Sequence, residues 1–140
     1  MTIRVLEKNT PARKDKIFAD FKTNMDIHPG SNDVQVVYDA DAIKRSIINL
    51  VKTTVYERPF QPTIGTHINH LLFEQMDTQT LLFARQLIEN TVKLHEPRAR
   101  TVEVQLSAAP DENGVNITII FSMLNSQAPV TLELLLTKVR

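Results

Sequence analysis

The spacing of apolar residues changes at Pro97, and this change constrains the fold more than any other feature. Between residues 79 and 95, apolar residues recur every three or four positions, as on one face of an α-helix. Beyond Pro97, Val102, Val104 and Leu106 alternate with polar residues, as in a strand with one buried face. Proline also disfavours helical geometry at Glu96, the residue before it. The sequence therefore predicts a helical part followed by a β-rich part.

The C-terminal part continues the strand pattern through two turns. Asn113-Gly114 is the strongest short hairpin signal, and apolar residues then alternate from 115 to 123. A second turn around residues 125–129 leads into a last strand, in which Leu132, Leu134 and Leu136 share one face. We predict a three-stranded antiparallel meander, and with the preceding helices an α+β fold.

Two main helices are predicted to pack on this sheet. The first starts at Asp39 or Asp41 and ends near residue 53, and the second is capped by Thr78 and covers 79–95. A short helix is expected over 67–74. The predicted buried stripes are Ile43, Ile47, Leu50 and Val51 in the first helix, and Leu81, Ala84, Leu87 or Ile88, Val92 and Leu94 or His95 in the second, with Lys44, Arg45 and Lys52 left in solvent.

The region before the first helix has a different character. Residues 1–38 are expected to form an irregular N-terminal arm that carries a short hairpin, separate from a domain formed by residues 39–140. The first sixteen residues are mostly polar, while Val34, Val36 and Tyr38 alternate after the turn at Pro29-Gly30.

The composition excludes several classes of function. Sixteen Lys and Arg balance sixteen Asp and Glu, so the basic excess typical of nucleic-acid binders is missing. There is no cysteine, which rules out disulfides, thiolate metal sites and a cysteine nucleophile. No apolar run reaches the roughly 18 residues that a membrane span needs. We predict no nucleic acid, membrane or cofactor as a partner.

Metal binding and glycoside hydrolysis were the two chemistries that the polar residues could offer. His67, His70 and Glu74 have helical spacing suited to zinc, but no further ligand is evident, so no metal site is predicted. Glycosidases need two carboxyl groups roughly 5–9.5 Å apart, one of them with a raised pKa. The mid-chain carboxylates are Glu57, Glu74, Asp77 and Glu96. Aromatic residues make up only 6% of the chain and tryptophan is absent, which disfavours sugar stacking, so no catalytic residue is predicted.

The last predicted strand is apolar on both faces, because Leu135 and Val139 lie opposite the face formed by Leu132, Leu134 and Leu136. An apolar strand at the edge of a sheet promotes association unless something covers it. Either a helix or the N-terminal arm covers this strand, or another chain pairs with it by strand addition. The sequence leaves both explanations open.

One charged motif, Glu96-Pro97-Arg98, stands where the long helix meets the first strand. Its two charges are held in a fixed relation by the proline. They could make bidentate, charge-assisted contacts with a partner, or they could form a local cap or a solvated turn. Residue types alone do not decide between these interpretations.

The order of several motifs carries a family resemblance. Arg58-Pro59-Phe60, Gly65, Leu72-Phe73-Glu74 and Glu96-Pro97-Arg98 precede a β-rich C-terminus. This arrangement resembles the small baseplate wedge proteins of contractile-tailed phages, a family shared with type VI secretion and related contractile injection systems. The resemblance covers roughly residues 39–138.

The resemblance implies a structural subunit of the virion tail baseplate, assembled in the host cytoplasm, and not an enzyme. It implies docking on larger baseplate wedge subunits through Glu96, Pro97 and Arg98, with Arg58 expected nearby. It also implies that the last strand, with Leu132, Leu134 and Leu136 as partner-binding residues, pairs with a tail sheath subunit and starts sheath growth. The tail tube is a further candidate partner. The alternatives are a lysozyme-like cell-wall hydrolase of the tail and the equivalent type VI secretion baseplate component.

Overall fold

The chain folds into two compact units that divide after Asp39. A computed structural model describes residues 17–22, 24–109, 113–124 and 126–137, and within them it leaves out the side chains of Thr101 and Gln127. The first sixteen residues of the predicted arm, part of the turn before Asn113, and Val139 lie outside the described residues.

The N-terminal unit contains the short hairpin expected from the sequence. Strands β1 (Ala19–Phe21) and β2 (Val36–Tyr38) pair antiparallel. A further antiparallel bridge joins Ile27 to Val34 between them. The Asp39 carboxylate accepts hydrogen bonds from the N–H groups of the two residues before β1, at 3.0 and 3.2 Å. These bonds hold the start of the hairpin to Asp39, the last residue of this unit.

The helices of the larger unit follow the predicted order. They are α1 (Asp39–Lys52), α2 (Ile68–Leu71) and α3 (Thr78–His95). The short helix is four residues long rather than the predicted 67–74. Beyond Leu71 the N–H groups of Phe73 and Glu74 reach the carbonyl three residues back, so the chain continues in tighter turns.

The prediction that Thr78 caps α3 is wrong. Thr78 is the first residue of the helix, and the carboxylate of Asp77 accepts the N–H of Thr80 at 2.7 Å. A charged carboxylate gains from the positive end of the helix dipole as well as from the hydrogen bond, so it is favoured over the neighbouring hydroxyl. The same bond, first among its causes, lowers the pKa of Asp77.

The buried stripe of α3 is largely as predicted, with two differences. Ala84, Ile88 and Val92 are buried, but Leu94 is 75% exposed and does not belong to the stripe. Thr91 is buried instead, and its hydroxyl donates to the Leu87 carbonyl at 2.8 Å. Satisfying its hydroxyl on the helix itself is what allows a polar residue to occupy this position.

Arg45 also differs from the expectation that it lies in solvent. Its Nε and Nη1 atoms are enclosed and find no hydrogen-bond partner among the described residues. A long arginine side chain can fold back over the protein surface, which its position on the helix does not reveal.

The predicted meander is confirmed. Strands β3 (Ala99–Ala109), β4 (Gly114–Met123) and β5 (Ser126–Thr137) form one antiparallel sheet in the order β3-β4-β5. Alternate residues of the sheet enter the core together with the apolar faces of the helices. The buried residues of the sheet include Val102, Val104, Val115, Ile117, Ile119, Phe121, Leu132 and Leu136. The fold is therefore α+β, as predicted.

A loop of residues 53–66 follows α1 and is fastened at its base. The Thr66 N–H donates to the Thr53 carbonyl at 2.8 Å, and the buried Thr66 hydroxyl donates to Val51 at 2.7 Å. Gly65 has a φ of +130°, and a Cβ placed there would lie 2.5 Å from the Thr53 carbonyl oxygen. Only glycine fits this close crossing of two backbone segments.

We therefore expect Gly65→Ala to lower the free energy of unfolding by more than about 1 kcal/mol, because both the backbone conformation and the space are incompatible with a side chain. Chemical denaturation followed by circular dichroism measures the change. Gly30→Ala is the matched control, since its added Cβ would meet only the His28 ring, at 3.3 Å. Equal stability of the two variants would contradict the prediction.

Candidate protein-interaction site

The Glu96-Pro97-Arg98 corner is closed by an ion pair within the chain. Arg98 donates from Nε and Nη2 to the two carboxylate oxygens of Glu96, at 2.6 and 2.8 Å. Glu96 is 2% exposed. Its N–H donates to Val92 at 2.8 Å, and its carbonyl accepts the N–H of Ala99 at 3.1 Å. The motif thus fastens the end of α3 to the start of β3.

The charge of Glu96 is stabilised in this buried position. Burial, the largest single effect, raises its pKa, but hydrogen bonds from Arg98 and from Ser46 on α1, together with the Arg98 charge, outweigh burial and lower the pKa overall. The corner is also joined to β4, because the N–H of Leu124 donates to the Arg98 carbonyl at 3.1 Å. One carboxylate therefore connects both long helices with the sheet.

This geometry divides the motif into an inner and an outer part. The Glu96 side chain faces inward and is used by the fold, whereas Pro97 is exposed and Arg98 is 31% exposed. Of the three residues, Pro97 is the most exposed and Glu96 the least. The sequence alone left open whether the charges are local or outward-facing.

A second apolar row on α3 leads to this corner. Phe83, Leu87, Asn90 and Leu94, which we call the Phe83 row, lie at spacings of four, three and four residues and so share one face of the helix. Phe83 and Leu94 are exposed, and Leu87 is half-buried. Spacings of this kind are typical of a seam that packs against another helix.

The outer edge of β3 is covered by α3. The Val104 N–H interacts with the carboxylate of Glu89, which also accepts Arg85 Nε at 2.9 Å and lies 3.8 Å from Lys93 Nζ. The Arg85 hydrogen bond is the main cause of the lowered pKa of Glu89, and the Val104 N–H adds to it. Within the described part of the chain, α3 therefore occupies the outer edge of β3 at Val104.

The outer edge of β5 is the opposite case. In the described residues β5 pairs only with β4. The N–H of Val104 points away from β4, so Val104 and Ile119, which face each other, are not joined by backbone hydrogen bonds. Ile119 therefore makes its backbone hydrogen bonds to β5, where it faces Leu132. The backbone groups of Thr131, Glu133 and Leu135 then point outward. The backbone nitrogen of Pro129 also points outward. A proline has no N–H to donate, so this is the position expected for a proline on an edge strand.

This alternation separates the predicted site residues, whose backbone groups pair with β4, from residues of β5 whose backbone groups point outward. Leu132 and Leu136 are buried and Leu134 is half-buried, and their backbone groups serve the ladder with β4. The predicted partner-binding residues thus lie on the edge strand, with their side chains toward the core. Thr131, Glu133, Leu135 and Thr137 are exposed, and of these the sequence singled out only Leu135, as an apolar residue on the opposite face.

Arg58 lies on the loop that follows α1, and its side chain is exposed. No salt bridge or hydrogen bond joins it to another described residue. It is flanked in the loop by exposed Tyr56 and Phe60.

Asp77 and Glu96, two of the carboxylates weighed as catalytic groups, have structural roles. The His67 and His70 rings lie 6.0 Å apart, centroid to centroid, and no group of three or more metal-binding side chains occurs among the described residues. Asp77 and Glu96 both have lowered pKa values, whereas the general acid of a glycosidase needs a raised one. In the described part of the chain no helix is long and apolar enough to cross a membrane.

Comparison with known proteins identifies the family. A family model described as baseplate wedge protein gp25 matches residues 37–128, more than half of the chain. The chain belongs to the baseplate wedge protein gp25 family. The gp25 protein of Enterobacteria phage T4 is 27% identical over 115 residues, which cover 82% of this chain and 86% of the T4 protein.

Several solved structures share the gp25 fold. A candidate tail lysozyme from Geobacter sulfurreducens has a TM-score of 0.63 and 23% identity, over 76% of this chain and 97% of that one. A chain of the anti-feeding prophage baseplate has a TM-score of 0.59 and 17% identity, over 84% of this chain and 83% of that one. A chain of the type VI secretion baseplate complex has a TM-score of 0.54 and 11% identity, over 67% of this chain and 90% of that one. At these identities the likeness speaks for the fold alone.

The predicted resemblance is therefore confirmed. As a gp25-family member, the chain is a baseplate wedge protein of contractile injection systems, and its place is the baseplate of the virion tail. Other baseplate components are accordingly its partners.

The buried Glu96 gives the fold a pH dependence. Because its pKa in the folded state lies below the usual 4.5, its contribution to stability is fully present above that pH and is lost as the pH falls through the folded-state pKa. We expect the free energy of unfolding to fall more steeply between about pH 5 and pH 3 for the natural chain than for Glu96→Gln. Urea denaturation at each pH measures both slopes, and Asp77 and Glu89 contribute equally to both proteins. Parallel curves would contradict the prediction.

Proposed function

We propose that this baseplate wedge protein docks on larger wedge subunits through the corner at Pro97 and Arg98 and starts tail sheath assembly from the outer edge of β5. The observation that carries the proposal is the asymmetry of the sheet. Its β3 edge is occupied at Val104 by Glu89 of α3, while its β5 edge carries unpaired backbone groups in the described residues. A strand from another chain therefore has one edge to join.

The chemistry of the β5 edge supports strand addition. The backbone groups of Thr131, Glu133 and Leu135 supply a ladder of donors and acceptors, and main-chain hydrogen bonds of this kind give strand addition its affinity. The exposed Leu135 adds an apolar contact on the outer face of the sheet. A tail sheath subunit is the partner that we propose for this edge. A ring of such edges would present the first sheath layer with a template.

The Phe83 row supports docking on a helical partner. It places Phe83, Leu87 and Leu94 along one face of α3, and the helix ends at the corner that exposes Pro97 and Arg98. A helix of a larger wedge subunit packed along this row would bring its own carboxylates within reach of Arg98. Arg58 belongs to the proposed docking surface as a further contact on its own loop.

We also propose that the protein acts without catalysis. The lysozyme-like alternative would require a carboxyl group held protonated near neutral pH. Asp77 is used as a helix cap and Glu96 as half of a buried ion pair, and both have lowered pKa values. These roles favour a structural part over a hydrolase.

The edge is tested by proline at position 133. Glu133→Pro removes an outward N–H and blocks strand addition, but it leaves the β4–β5 ladder intact because proline is tolerated with its nitrogen at an open edge. We expect the unfolding free energy to change by about 1 kcal/mol or less, and electron microscopy of particles assembled with the variant to find baseplates without sheath.

Leu134→Pro is the matched control for this test. Its N–H serves the ladder with β4, so we expect the domain itself to be destabilised. Normally sheathed tails in particles that contain Glu133→Pro would refute the proposed role of the edge.

Arg98→Ala is a poor test of docking because it leaves the Glu96 carboxylate buried and unpaired. In fully buried pairs this costs about 3–5 kcal/mol, and the partial exposure of Arg98 reduces the figure without removing it. A change on the Phe83 row separates docking from folding.

We expect Leu94→Glu to leave the unfolding free energy within about 0.5 kcal/mol, since this leucine is exposed. We expect it to lower incorporation into baseplates about tenfold, which corresponds to about 1.4 kcal/mol of binding energy. Quantitative mass spectrometry of purified baseplates, assembled with equal amounts of natural chain and variant, gives the ratio. Leu82→Glu, on a different face of α3, is the control, and equal incorporation of both variants with the natural chain would overturn the docking surface.

A further inference from the structure

The loop after α1 holds two aromatic residues in a backbone conformation that aromatic residues rarely adopt. Tyr56 has a φ of +71° and Phe60 a φ of +73°. Both values lie in the left-handed region, which disfavours any residue with a Cβ and is normally occupied by glycine or asparagine. Phe60 follows Pro59, and a proline followed by a residue with positive φ is the pattern of a type II turn, in which glycine or asparagine is preferred at the position of Phe60.

The protein obtains no burial of these rings in return. Phe60 is 100% exposed and Tyr56 is 78% exposed. An exposed apolar ring contributes nothing to the core, and an asparagine at either position would suit the backbone better. Strain of this kind at exposed residues points to a role outside the folded chain.

The loop is nevertheless held in shape. Its base is fastened by the Thr54–Thr66 bridge. The Tyr56 N–H donates to the Pro62 carbonyl at 2.8 Å, which draws the two sides of the loop together. The Glu57 carboxylate accepts the Thr54 N–H at 2.8 Å. The exposed rings are therefore presented by a preformed turn, and a partner that binds them has little backbone ordering to complete.

The charge at the tip of the loop is positive. Glu57 is used within the loop, while the exposed Arg58 between the two rings has no ion pair among the described residues. Binding to an anionic membrane surface typically uses clusters of about four to eight basic residues, and this loop has one. One guanidinium between two rigid rings suits a protein surface with a shaped pocket and a carboxylate beside it.

We infer that residues 54–66 form a preformed recognition loop, which inserts Phe60 into an apolar pocket of a neighbouring baseplate protein and pairs Arg58 with a carboxylate at the rim of that pocket. Tyr56 covers the side of the contact. The inference rests on the proposed docking of the chain in a baseplate, and it assigns to that docking a contact separate from the Phe83 row.

Phe60→Asn in the full chain separates binding from folding. Asparagine tolerates the left-handed backbone, so we expect the melting temperature to stay the same or to rise by up to about 4 °C. We expect incorporation into purified baseplates, in competition with the natural chain, to fall about tenfold or more. Arg58→Glu is expected to reduce incorporation as strongly, and Phe73→Asn, another exposed phenylalanine outside the loop, serves as the matched control.

The contact itself is tested by placing the photo-crosslinker p-benzoylphenylalanine at position 60 during baseplate assembly. A cross-link to one peptide of a neighbouring baseplate subunit, with an acidic residue next to apolar ones, is the expected result. Cross-linking only to lipid, or no cross-link in complete baseplates, would overturn the inference.

The outcomes also separate the loop from the rest of the docking surface. If Leu94→Glu loses incorporation and Phe60→Asn keeps it, the loop inference fails alone. If both variants incorporate like the natural chain, the loop inference and the proposed docking both fail. A fall in the melting temperature of Phe60→Asn would show that the ring serves the fold and would also refute the inference.

Discussion

The buried carboxylate of Glu96 is the interaction on which the rest of the structure depends. Burying a charge is costly unless it is paired and hydrogen-bonded, and here Arg98 and Ser46 provide both. Glu96 and Arg98 lie at the corner and Ser46 lies on α1. Pairing this one carboxylate therefore holds together α1, the end of α3 and the start of β3. Pro97 between the charged residues fixes the backbone that makes the bidentate geometry possible. The corner is a structural joint first, and its outer edge is what remains for a partner.

The long helix α3 performs three tasks with three of its faces. One face fills the core with Ala84, Ile88 and Val92, and another brings Glu89 to the Val104 N–H and so occupies the edge of β3. The Phe83 row lies on the third. Because a single rigid helix carries all three, the position of the covered edge is fixed relative to the row. Strand addition at β5 would thus take place at a defined position relative to the docked helix.

Much of this fold follows from local sequence signals, and the errors have a common cause. The strands of the three-stranded sheet and the C-terminal end of α3 were predictable because alternation, Asn113-Gly114 and Pro97 act over a few residues. The inward orientation of Glu96 was not, because it depends on Ser46, far away in the sequence. The sequence pointed to Leu132, Leu134 and Leu136, since side-chain pattern identifies a strand but not which backbone groups face outward. Pro129 was the available signal, because a proline in an edge strand marks the outward phase.

Gly65 and Phe60, both in the loop of residues 53–66, have positive φ values but differ in residue type and surroundings. At Gly65, where two backbone segments cross inside the structure, the chain uses the residue that the positive φ favours. At Phe60, where the backbone demand is similar but the side chain is in solvent, it keeps an aromatic ring. Folding alone would favour glycine at position 65, and glycine or asparagine at position 60. The contrast favours a use of the exposed ring outside the fold, because at Gly65, where the fold alone is concerned, the same loop has the residue that its backbone requires.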